Sequence, residues 1–406
     1  MTKLLLDDDL LDAQLIRAVG ATSHQGADLG EVVQAVRGLD ETDLTAWYEA
    51  WNALGERTFE LGEQQEAAGH RISALKAFLR ACTYLRTGGS MLYSTPVDPR
   101  MALSNTRQTA AFRRAAALMD TPVEVVQIPF EDTTLPGYFL RAADEIGVRR
   151  ATLIGFGGYD GTCEECYFYF AAPALARGYN VLIFDGPGQG AALLQQGLPM
   201  RPDWDAVITP VVDFLLARPD VDPNRIALAG LSLGGFLGPR AAAKEHRLAA
   251  LIADSGAYDM YAGAIARLPE SIAKGYEAGD ADARAALAQI LDGMAAKPTA
   301  GWSMRRGVVV HGVADPLAYF DTMKDFRLNG YAQTITCPTL VTHAEGDAVG
   351  ASAPQTFEAL TVPDKQLITF TAAEGGGDHC EAAARTLFDT RAFAWLDERL
   401  RPDVLA

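Results

Sequence analysis

The first third of the chain repeats its apolar residues with the period of an α-helix. In the stretch RISALKAFLRACTYLR, apolar side chains recur at spacings of three and four, at Leu75, Phe78, Leu79, Cys82 and Leu85. Residues at these spacings share one face of a helix, so the stretch predicts an amphipathic helix. The stretch DLTAWYEAWNALGERTFELGEQQEAAG has the same period. The pattern predicts a helical N-terminal region over residues 1–118.

From about residue 120 the pattern becomes that of short strands. The segments VEVVQIPF and LPGYFLRA, joined by EDTT, predict an antiparallel pair. Beyond them, apolar runs that end in glycine or aspartate alternate with helical stretches, as in RATLIGFGG before ECYFYFAAPALARG and NVLIFDGPGQG before DWDAVITPVVDFLLAR. This alternation predicts a mostly parallel sheet with helices on both faces. We assign the core to residues 119–255 and 336–406.

Residues 256–335 interrupt this alternation. They are rich in alanine, aromatic residues and methionine, and ESIAKGYEAGDADARAALAQILDGMAAKP is their clearest helical part. We expect a helical insertion after the sixth strand that caps a site on the core. The alternative is a structural excursion that makes no contact with substrate.

Composition and charge narrow the class of protein. The 406 residues are 49% hydrophobic, and the net charge of −17 would repel phosphate backbones and anionic lipid. The chain has no apolar run of 18 residues, and three aspartates interrupt the apolar start of MTKLLLDDDLLDAQ, which argues against a signal peptide. Five cysteines, an odd number, fit reduced thiols. We therefore expect a cytoplasmic protein with no nucleic-acid or membrane partner.

The segment IALAGLSLGG runs from an apolar strand into a serine with glycine two positions away on either side. Gly230, Ser232 and Gly234 form the G-x-S-x-G pattern. A serine on a sharp strand-to-helix turn brings its second neighbours against adjacent backbone, where glycine avoids a clash. The alternative is a glycine-rich turn before a core helix. After a fifth strand, the pattern favours a nucleophile in the α/β-hydrolase fold, with a mostly parallel eight-stranded sheet.

A serine nucleophile needs a base and an acid that orients the base, and in this fold the order is Ser, Asp or Glu, then His. His379, in EGGGDHCEAA after the eighth strand, is the expected base. Asp347, in LVTHAEGD after the seventh strand, is the expected acid, and Asp254 after the sixth strand is the alternative. The predicted triad is therefore Ser232, Asp347 and His379.

The same site needs backbone amides for a tetrahedral oxyanion. The amide of Leu233 follows the nucleophile at a helix N-terminus. The loop GFGGYDG after the third strand is expected to supply the other from Gly158, with Tyr159 as the alternative.

Other side chains are candidates for contact with a small-molecule substrate. These are Tyr159, Glu164, Trp302 and His311. For Glu164 the alternative is an interaction with the dipole of its own helix, and for the cap residues it is apolar packing. The C-x-x-C pair at 163–166 lacks a second pair at zinc spacing, so we expect neither a metal nor another cofactor.

Four motifs carry a family resemblance. FDGPGQG, AGLSLGGF, HRLAALIADSGAYD and GDHC, in this order, resemble a subgroup of the α/β-hydrolases. The subgroup includes the 2,6-dihydroxypseudooxynicotine hydrolases, the fungal hydrolases that shorten a polyketide in melanin synthesis, and the fermentation-respiration switch proteins. The resemblance covers residues 120–400 and implies the same triad, hydrolysis of a carbon–carbon bond beside a carbonyl, and a possible homodimer. RPDWDAVI looks most like the polyketide-shortening branch.

One functional residue of that subgroup is not matched. The nicotine-pathway enzymes use a pocket glutamate some tens of residues beyond the serine, where this chain has Gly263, and Glu270 is the nearest acid. This departure argues against a nicotine-type substrate, and the resemblance as a whole implies a hydrolase of a carbon–carbon bond in an aromatic or polyketide-like ketone. The alternatives are a carboxylesterase or peptidase-like acyl hydrolase, a cyclase or acyltransferase, and a binding module without activity.

Overall fold

The N-terminal region is helical, as the sequence predicts. The computed structural model of the protein describes residues 2–121, 123–144 and 147–401. Its first helices are α1 (Asp9–Gly20), α2 (Leu29–Val36), α3 (Leu44–Ala67), α4 (Arg71–Gly89) and α5 (Pro99–Ala117). The aspartates that precede α1, α2, α3 and α5 accept hydrogen bonds from the first free amides of these helices. Helix α4 packs between α3 and α5.

An eight-stranded sheet forms the core of the described residues, in the order β1-β2-β4-β3-β5-β6-β7-β8. The strands are β1 (Val123–Phe130), β2 (Thr133–Leu140), β3 (Arg150–Phe156), β4 (Asn180–Phe184), β5 (Val221–Leu231), β6 (Ala250–Asp254), β7 (Thr339–Ala344) and β8 (Lys365–Phe370). β2 pairs antiparallel with β1 and β4, and the remaining pairs are parallel. The predicted α/β-hydrolase sheet is confirmed.

The connection between the first two strands is shorter than the sequence suggests. Thr133 and Thr134, placed in the EDTT connection by pattern alone, pair with Phe130 and Pro129. Glu131 adopts a φ of 46°, which closes the hairpin in two residues. Threonine suits an extended backbone, so the ladder extends to the turn.

The central strands are buried on both faces. Every residue of β3, β4 and β6 is buried, as parallel strands covered by helices on both sides require. The core helices are α6 (Cys163–Cys166), α7 (Ala172–Leu175), α8 (Gly190–Leu194), α9 (Asp205–Leu216), α10 (Gly234–Ala242), α16 (Ala353–Ala359) and α17 (Arg385–Leu400).

Further helices lie between β6 and β7. They are α11 (Met260–Ile265), α12 (Glu270–Glu277), α13 (Ala281–Ala295), α14 (Trp302–His311) and α15 (Pro316–Thr322). We refer to residues 256–335 as the cap, the name used for the predicted insertion. The Trp302 indole donates to the Ser90 carbonyl, and the Met200 amide donates to the Val310 carbonyl. The cap is thus bonded both to the N-terminal region and to the core.

Within the described ranges, none of the helices combines the length and apolar composition needed to cross a bilayer.

An aromatic contact joins the N-terminal region to the sheet. The Phe112 ring is fully buried, 4.7 Å from the Tyr138 ring of β2 and 5.4 Å from the Tyr167 ring, both edge to face. We expect Phe112→Ala to lower the free energy of unfolding by about 3–5 kcal/mol, because the cavity would lie at this junction. Denaturant titration would measure the change. Leu103→Ala, on the exposed side of the same helix, is the matched control and should change stability by less than about 0.5 kcal/mol. Equal effects would contradict the account.

Candidate active site

Ser232 lies in the sharp turn between β5 and α10. Its φ of 63° is in the left-handed region, which is unusual for a residue with a side chain. The Ser232 amide donates to the Asp254 carbonyl at 3.0 Å, which holds this conformation. A Cβ at Gly230 would overlap the Gly234 carbonyl oxygen, and one at Gly234 would be 3.0 Å from the Gly157 oxygen. Glycine at position 230 is therefore a steric requirement of the turn, and glycine at position 234 relieves a tight contact.

A chain of hydrogen bonds joins the serine to a histidine and an aspartate. His379 Nε2 lies 2.8 Å from Ser232 Oγ, and His379 Nδ1 lies 2.8 Å from Asp347 Oδ2. The Ser255 hydroxyl also donates to Asp347 Oδ2, and the Val349 amide donates to Asp347 Oδ1 at 2.8 Å. The carboxylate is thus held by three donors. Such a chain can move a proton from the hydroxyl to the imidazole.

The pKa values of the pair suit this chemistry. Burial would raise the pKa of Asp347, but the neighbouring imidazole and the hydrogen bonds of Ser255 and Val349 lower it to about 2. Enclosure by protein would lower the pKa of His379, but the Asp347 carboxylate outweighs it and raises that pKa above its usual 6.5. Asp347 is therefore ionised at neutral pH, and His379 is a stronger base than a free histidine.

Asp254, the alternative acid, has other partners. It is fully buried and accepts from the Thr342 hydroxyl at 3.1 Å and from the Arg385 guanidinium at 2.9 Å. Arg385 also donates to the Cys380 carbonyl at 2.9 Å, directly after His379. No hydrogen bond joins Asp254 to His379 among the described residues. The geometry therefore favours Asp347, and Asp254 helps to fix the loop that carries the histidine.

The loop after β3 borders the serine turn. A Cβ at Gly158 would be 2.8 Å from both the Leu233 nitrogen and the Ser232 Cβ. The Gln189 side chain donates to the Gly157 and Gly158 carbonyls at 2.6 and 3.2 Å. This fixes the orientation of the peptide planes in the loop. We call residues 157–161 the oxyanion loop, after the role that the sequence predicts for Gly158.

Sequence reasoning gave Gln189 no role, although its motif FDGPGQG is prominent. The sequence signal is a polar residue between two glycines. In the structure the Gln189 side chain is buried, with 1% of its surface exposed. A buried amide must find partners, and the buried carbonyls of Gly157 and Gly158 supply them.

Asp160 attaches the oxyanion loop to the rest of the molecule. Its carboxylate lies 2.7 Å from Arg17 Nη1 of α1, 2.8 Å from Arg86 Nη2 of α4 and 3.5 Å from Arg306 Nη1 of the cap. Burial would raise the pKa of this carboxyl, but the three guanidiniums hold it well below its usual range. The loop is therefore anchored electrostatically to both the N-terminal region and the cap, which sequence spacing did not indicate.

Tyr159 and His311 meet beside this loop. The Tyr159 hydroxyl lies 3.1 Å from His311 Nε2 and 3.4 Å from the Tyr319 hydroxyl. Burial, assisted by Arg306, lowers the pKa of His311 to about 4, so the imidazole is neutral at pH 7. The two predicted substrate contacts thus contact each other, between core and cap.

Trp302 lies in the same group of side chains. Its ring centroid is 4.4 Å from the guanidinium carbon of Arg306, and its indole donates to the Ser90 carbonyl at 2.8 Å. The ring therefore packs against the Arg306 guanidinium within the same cap helix.

Glu164 faces a different direction from the one expected of a substrate contact. Its carboxylate accepts from Gln108 and Thr109 of α5 and from the Tyr138 hydroxyl of β2. With 2% of its surface exposed, it is enclosed by these protein donors. We therefore leave Glu164 out of the proposed substrate site. It joins the N-terminal region to the sheet.

Cys163, Glu164 and Asp185 bring three potential metal ligands together, with ligand atoms within 4.8 Å of one another. Burial and the Glu164 carboxylate raise the pKa of Asp185 to about 8, and burial raises that of Cys163. Asp185 also accepts from the Cys163 and Ala191 amides at 2.7 and 2.8 Å. Carboxylates already occupied by protein donors fit a hydrogen-bonded network better than a metal centre.

The N-terminal region also borders the oxyanion loop. A cavity of about 40 Å³ lies between α4, α5 and this loop, and Tyr93, Met101, Asn105, Tyr159 and Leu194 are among its lining residues. The space accommodates a few water molecules or a small substituent, and no whole aromatic ring.

Comparisons with known proteins concern the fold and the family. The family model described as "Alpha/beta hydrolase family" matches residues 155–390. The chain is 33% identical to the 20-hydroxy-prefusarin hydrolase FUS2 of Gibberella moniliformis over 98% of each chain. It is also 33% identical to the hydrolase acrC of Aspergillus aculeatus, over 96% of each chain.

A solved structure has the same fold. The 2,6-dihydroxy-pseudo-oxynicotine hydrolase is 22% identical and superposes with a TM-score of 0.75 over 94% of this chain and 95% of its own. At this level of identity the likeness concerns the fold alone. The family model and the fungal relatives place the chain further: it is related to fungal secondary-metabolite hydrolases, and it belongs to the alpha/beta hydrolase family.

Proposed function

We propose that the protein is a serine hydrolase that cleaves a carbon–carbon bond beside a carbonyl, in an aromatic or polyketide-like ketone. The observation that carries the proposal is the hydrogen-bond chain from Ser232 through His379 to Asp347, with 2.8 Å at each step. In this account Ser232 is the nucleophile, His379 the general base, and Asp347 the group that orients the imidazole.

The first step is addition to the carbonyl. His379 Nε2 takes the proton of the Ser232 hydroxyl as Oγ attacks the carbonyl carbon. The Asp347 carboxylate stabilises the imidazolium and keeps the Nδ1 tautomer, without itself taking the proton. The three donors on Asp347 keep it ionised during this step.

The tetrahedral oxyanion is received by the amides of Leu233 and Gly158. Backbone donors fixed before the reaction stabilise developing charge without reorganisation. Two features support this assignment: Gly158 backbone lies against the Leu233 nitrogen, and Gln189 holds the loop carbonyls.

Collapse of the intermediate then breaks the carbon–carbon bond. The bonding electrons leave with the departing carbon, and the His379 imidazolium returns the proton to it. Water, activated by the same imidazole, hydrolyses the acyl-serine to a carboxylic acid. A carbanion leaves only if a neighbouring carbonyl or hydroxylated ring accepts its charge, so β-dicarbonyl compounds and acylated phenols are the expected substrates.

Two further observations support this substrate class. Tyr159, His311, Tyr319, Trp302 and Phe326 form an aromatic group beside the oxyanion loop, which suits an unsaturated or aromatic substrate. One relative that matches along nearly the whole chain is named as a hydrolase of 20-hydroxy-prefusarin.

Ester hydrolysis is the second candidate, because the triad and the oxyanion donors would act on an ester carbonyl in the same way. Mass spectrometry of products separates the two reactions. We would compare a panel of β-diketones and acylated phenols with p-nitrophenyl acetate. The proposal predicts acid and ketone, or acid and phenol, from the panel. Turnover of the ester alone would favour a carboxylesterase, and a product of unchanged mass would indicate a cyclase.

Removal of the Ser232 hydroxyl should abolish most of the activity. We expect Ser232→Ala to reduce kcat on the order of 10³-fold or more, with little change in KM, because the nucleophile acts only in the reaction steps. Steady-state kinetics on the panel would measure it. A loss below tenfold would show that another group attacks the carbonyl.

Gly158 offers a test of the oxyanion loop. Gly158→Ala would place a methyl group against Leu233 and Ser232, and we expect kcat to fall on the order of 10²-fold while substrate binding is retained. Gly263→Ala in the cap has open space around it and is the matched control. If both variants keep full activity, the loop does not serve the oxyanion.

The pH profile reports the base. His379 must be neutral to accept the proton, so kcat/KM should rise with pH through its pKa. Because Asp347 raises that pKa, the half-maximal point should lie above pH 6.5. Asp347→Asn removes the carboxylate charge that raises the pKa of His379, so the rise of kcat/KM should move to lower pH. In this variant kcat should fall about 10⁴-fold. A rise at the same pH in this variant would exclude Asp347 as the partner.

A further inference from the structure

The ion-pair cluster at the oxyanion loop contains more positive than negative groups. Arg17, Arg86 and Arg306 face the carboxylates of Asp160 and Glu165. Arg17 binds both carboxylates, with hydrogen bonds of 2.5–2.7 Å. Arg86 donates to the Asp160 carboxylate and to its carbonyl, at 2.8 and 3.1 Å. The two carboxylates are therefore satisfied by two guanidiniums, and one positive charge remains in excess.

The excess charge is that of Arg306. The distance between Arg306 and the Asp160 carboxylate is long, at 3.5 Å. The guanidiniums of Arg17 and Arg86 lie closer to the same carboxylate. Its Nε is buried without a hydrogen-bond partner among the described residues, whereas 18% of the side chain remains exposed. The buried Nε cannot reach a ligand, so the Nη groups are the donors available for another anion.

Aromatic rings hold Arg306 in place. Its guanidinium carbon lies 4.6 Å from the Tyr159 ring centroid and 4.4 Å from the Trp302 ring centroid. Contacts of this kind hold the planar group by its faces and leave its edge for hydrogen bonding. Tyr159 directly follows Gly158, so the guanidinium contacts the neighbour of a proposed oxyanion donor. The cap thus holds this guanidinium against the loop that carries Gly158.

Building on the proposed function, we propose that Arg306 binds the oxygen of the departing enolate or phenolate. When the carbon–carbon bond breaks, its electron pair moves through the leaving carbon onto the oxygen of the neighbouring carbonyl or ring hydroxyl. The guanidinium donates charge-assisted hydrogen bonds to that oxygen, which are stronger in an enclosed site than in water. The His379 imidazolium then protonates the carbon, and the neutral ketone or phenol leaves.

This role distinguishes ketones from activated esters. The p-nitrophenolate that leaves an ester is stable in water and needs no cation to depart. An enolate is a much stronger base, so its departure depends on the interaction. A residue that merely held the oxyanion loop would affect both substrates equally, because both form the same oxyanion.

The experiment compares 1-phenyl-1,3-butanedione with p-nitrophenyl acetate in the full-length protein. Arg306→Met keeps the length and the contact with the rings but removes the charge. We expect kcat for the diketone to fall on the order of 100-fold, and kcat for the ester to fall by less than about tenfold, because the closer ion pairs of Asp160 with Arg17 and Arg86 still hold the loop. Arg306→Lys keeps the positive charge but lacks the paired donors of a guanidinium, and its kcat for the diketone should fall on the order of tenfold. Arg284→Met, at an exposed cap position paired with Asp321, is the matched control and should match wild type on both substrates.

The outcomes separate the inference from the proposed function. If the wild type cleaves the diketone and Arg306→Met cleaves it equally fast, the leaving-group role is overturned and the proposed function stands. An equal loss on diketone and ester would also overturn it, since it would assign Arg306 to the oxyanion loop. If the wild type cleaves the ester but not the diketone, the proposed function fails and the inference with it. If Arg306→Met does not fold, Arg306→Lys is compared on the same two substrates. A loss confined to the diketone supports the leaving-group role, and an equal loss or no loss on both substrates overturns it.

Discussion

The hydrogen bond between Ser232 and His379 depends on one residue held in an unusual backbone conformation. Ser232 has a φ of 63°, and this turns its hydroxyl out of the strand toward the imidazole 2.8 Å away. The conformation is strained for a residue with a side chain, so the surroundings must impose it. The Asp254 carbonyl, the two flanking glycines and the start of α10 do so. Since β5 and β6 are central strands of the sheet, the stability of the whole core maintains the turn.

The oxyanion loop is maintained differently, by partners from every part of the molecule. Gln189 holds its carbonyls from the core, Arg17 and Arg86 hold Asp160 from the N-terminal region, and Arg306 approaches from the cap. A glycine-rich loop has much conformational freedom to lose, so it needs such partners to remain in one geometry. This gives the N-terminal helices a role at the site although they supply no member of the triad.

Strong local patterns made the fold and the hydrogen-bonded triad predictable from the sequence. The G-x-S-x-G turn, the alternation of strands and helices, and the order Ser, Asp, His each follow from short stretches of sequence. The roles of Gln189, Ser255 and Asp160 were missed because each depends on partners far away in the chain. The contacts of Glu164 are not predictable for the same reason: its position at the start of a helix is local, but its partners Gln108, Thr109 and Tyr138 come from elsewhere. Burial of a polar group beside partners that are distant in the chain leaves no periodic signal.

The central claim is that the Ser232 oxygen forms a covalent bond with the substrate carbonyl. Trapping is its most direct test: the protein is incubated with a fluorophosphonate, digested, and the modified residue is mapped by mass spectrometry. The account predicts one adduct on Ser232, with labelling lost when His379 is replaced by alanine. An adduct on another residue, or an unlabelled serine in folded protein, would contradict it.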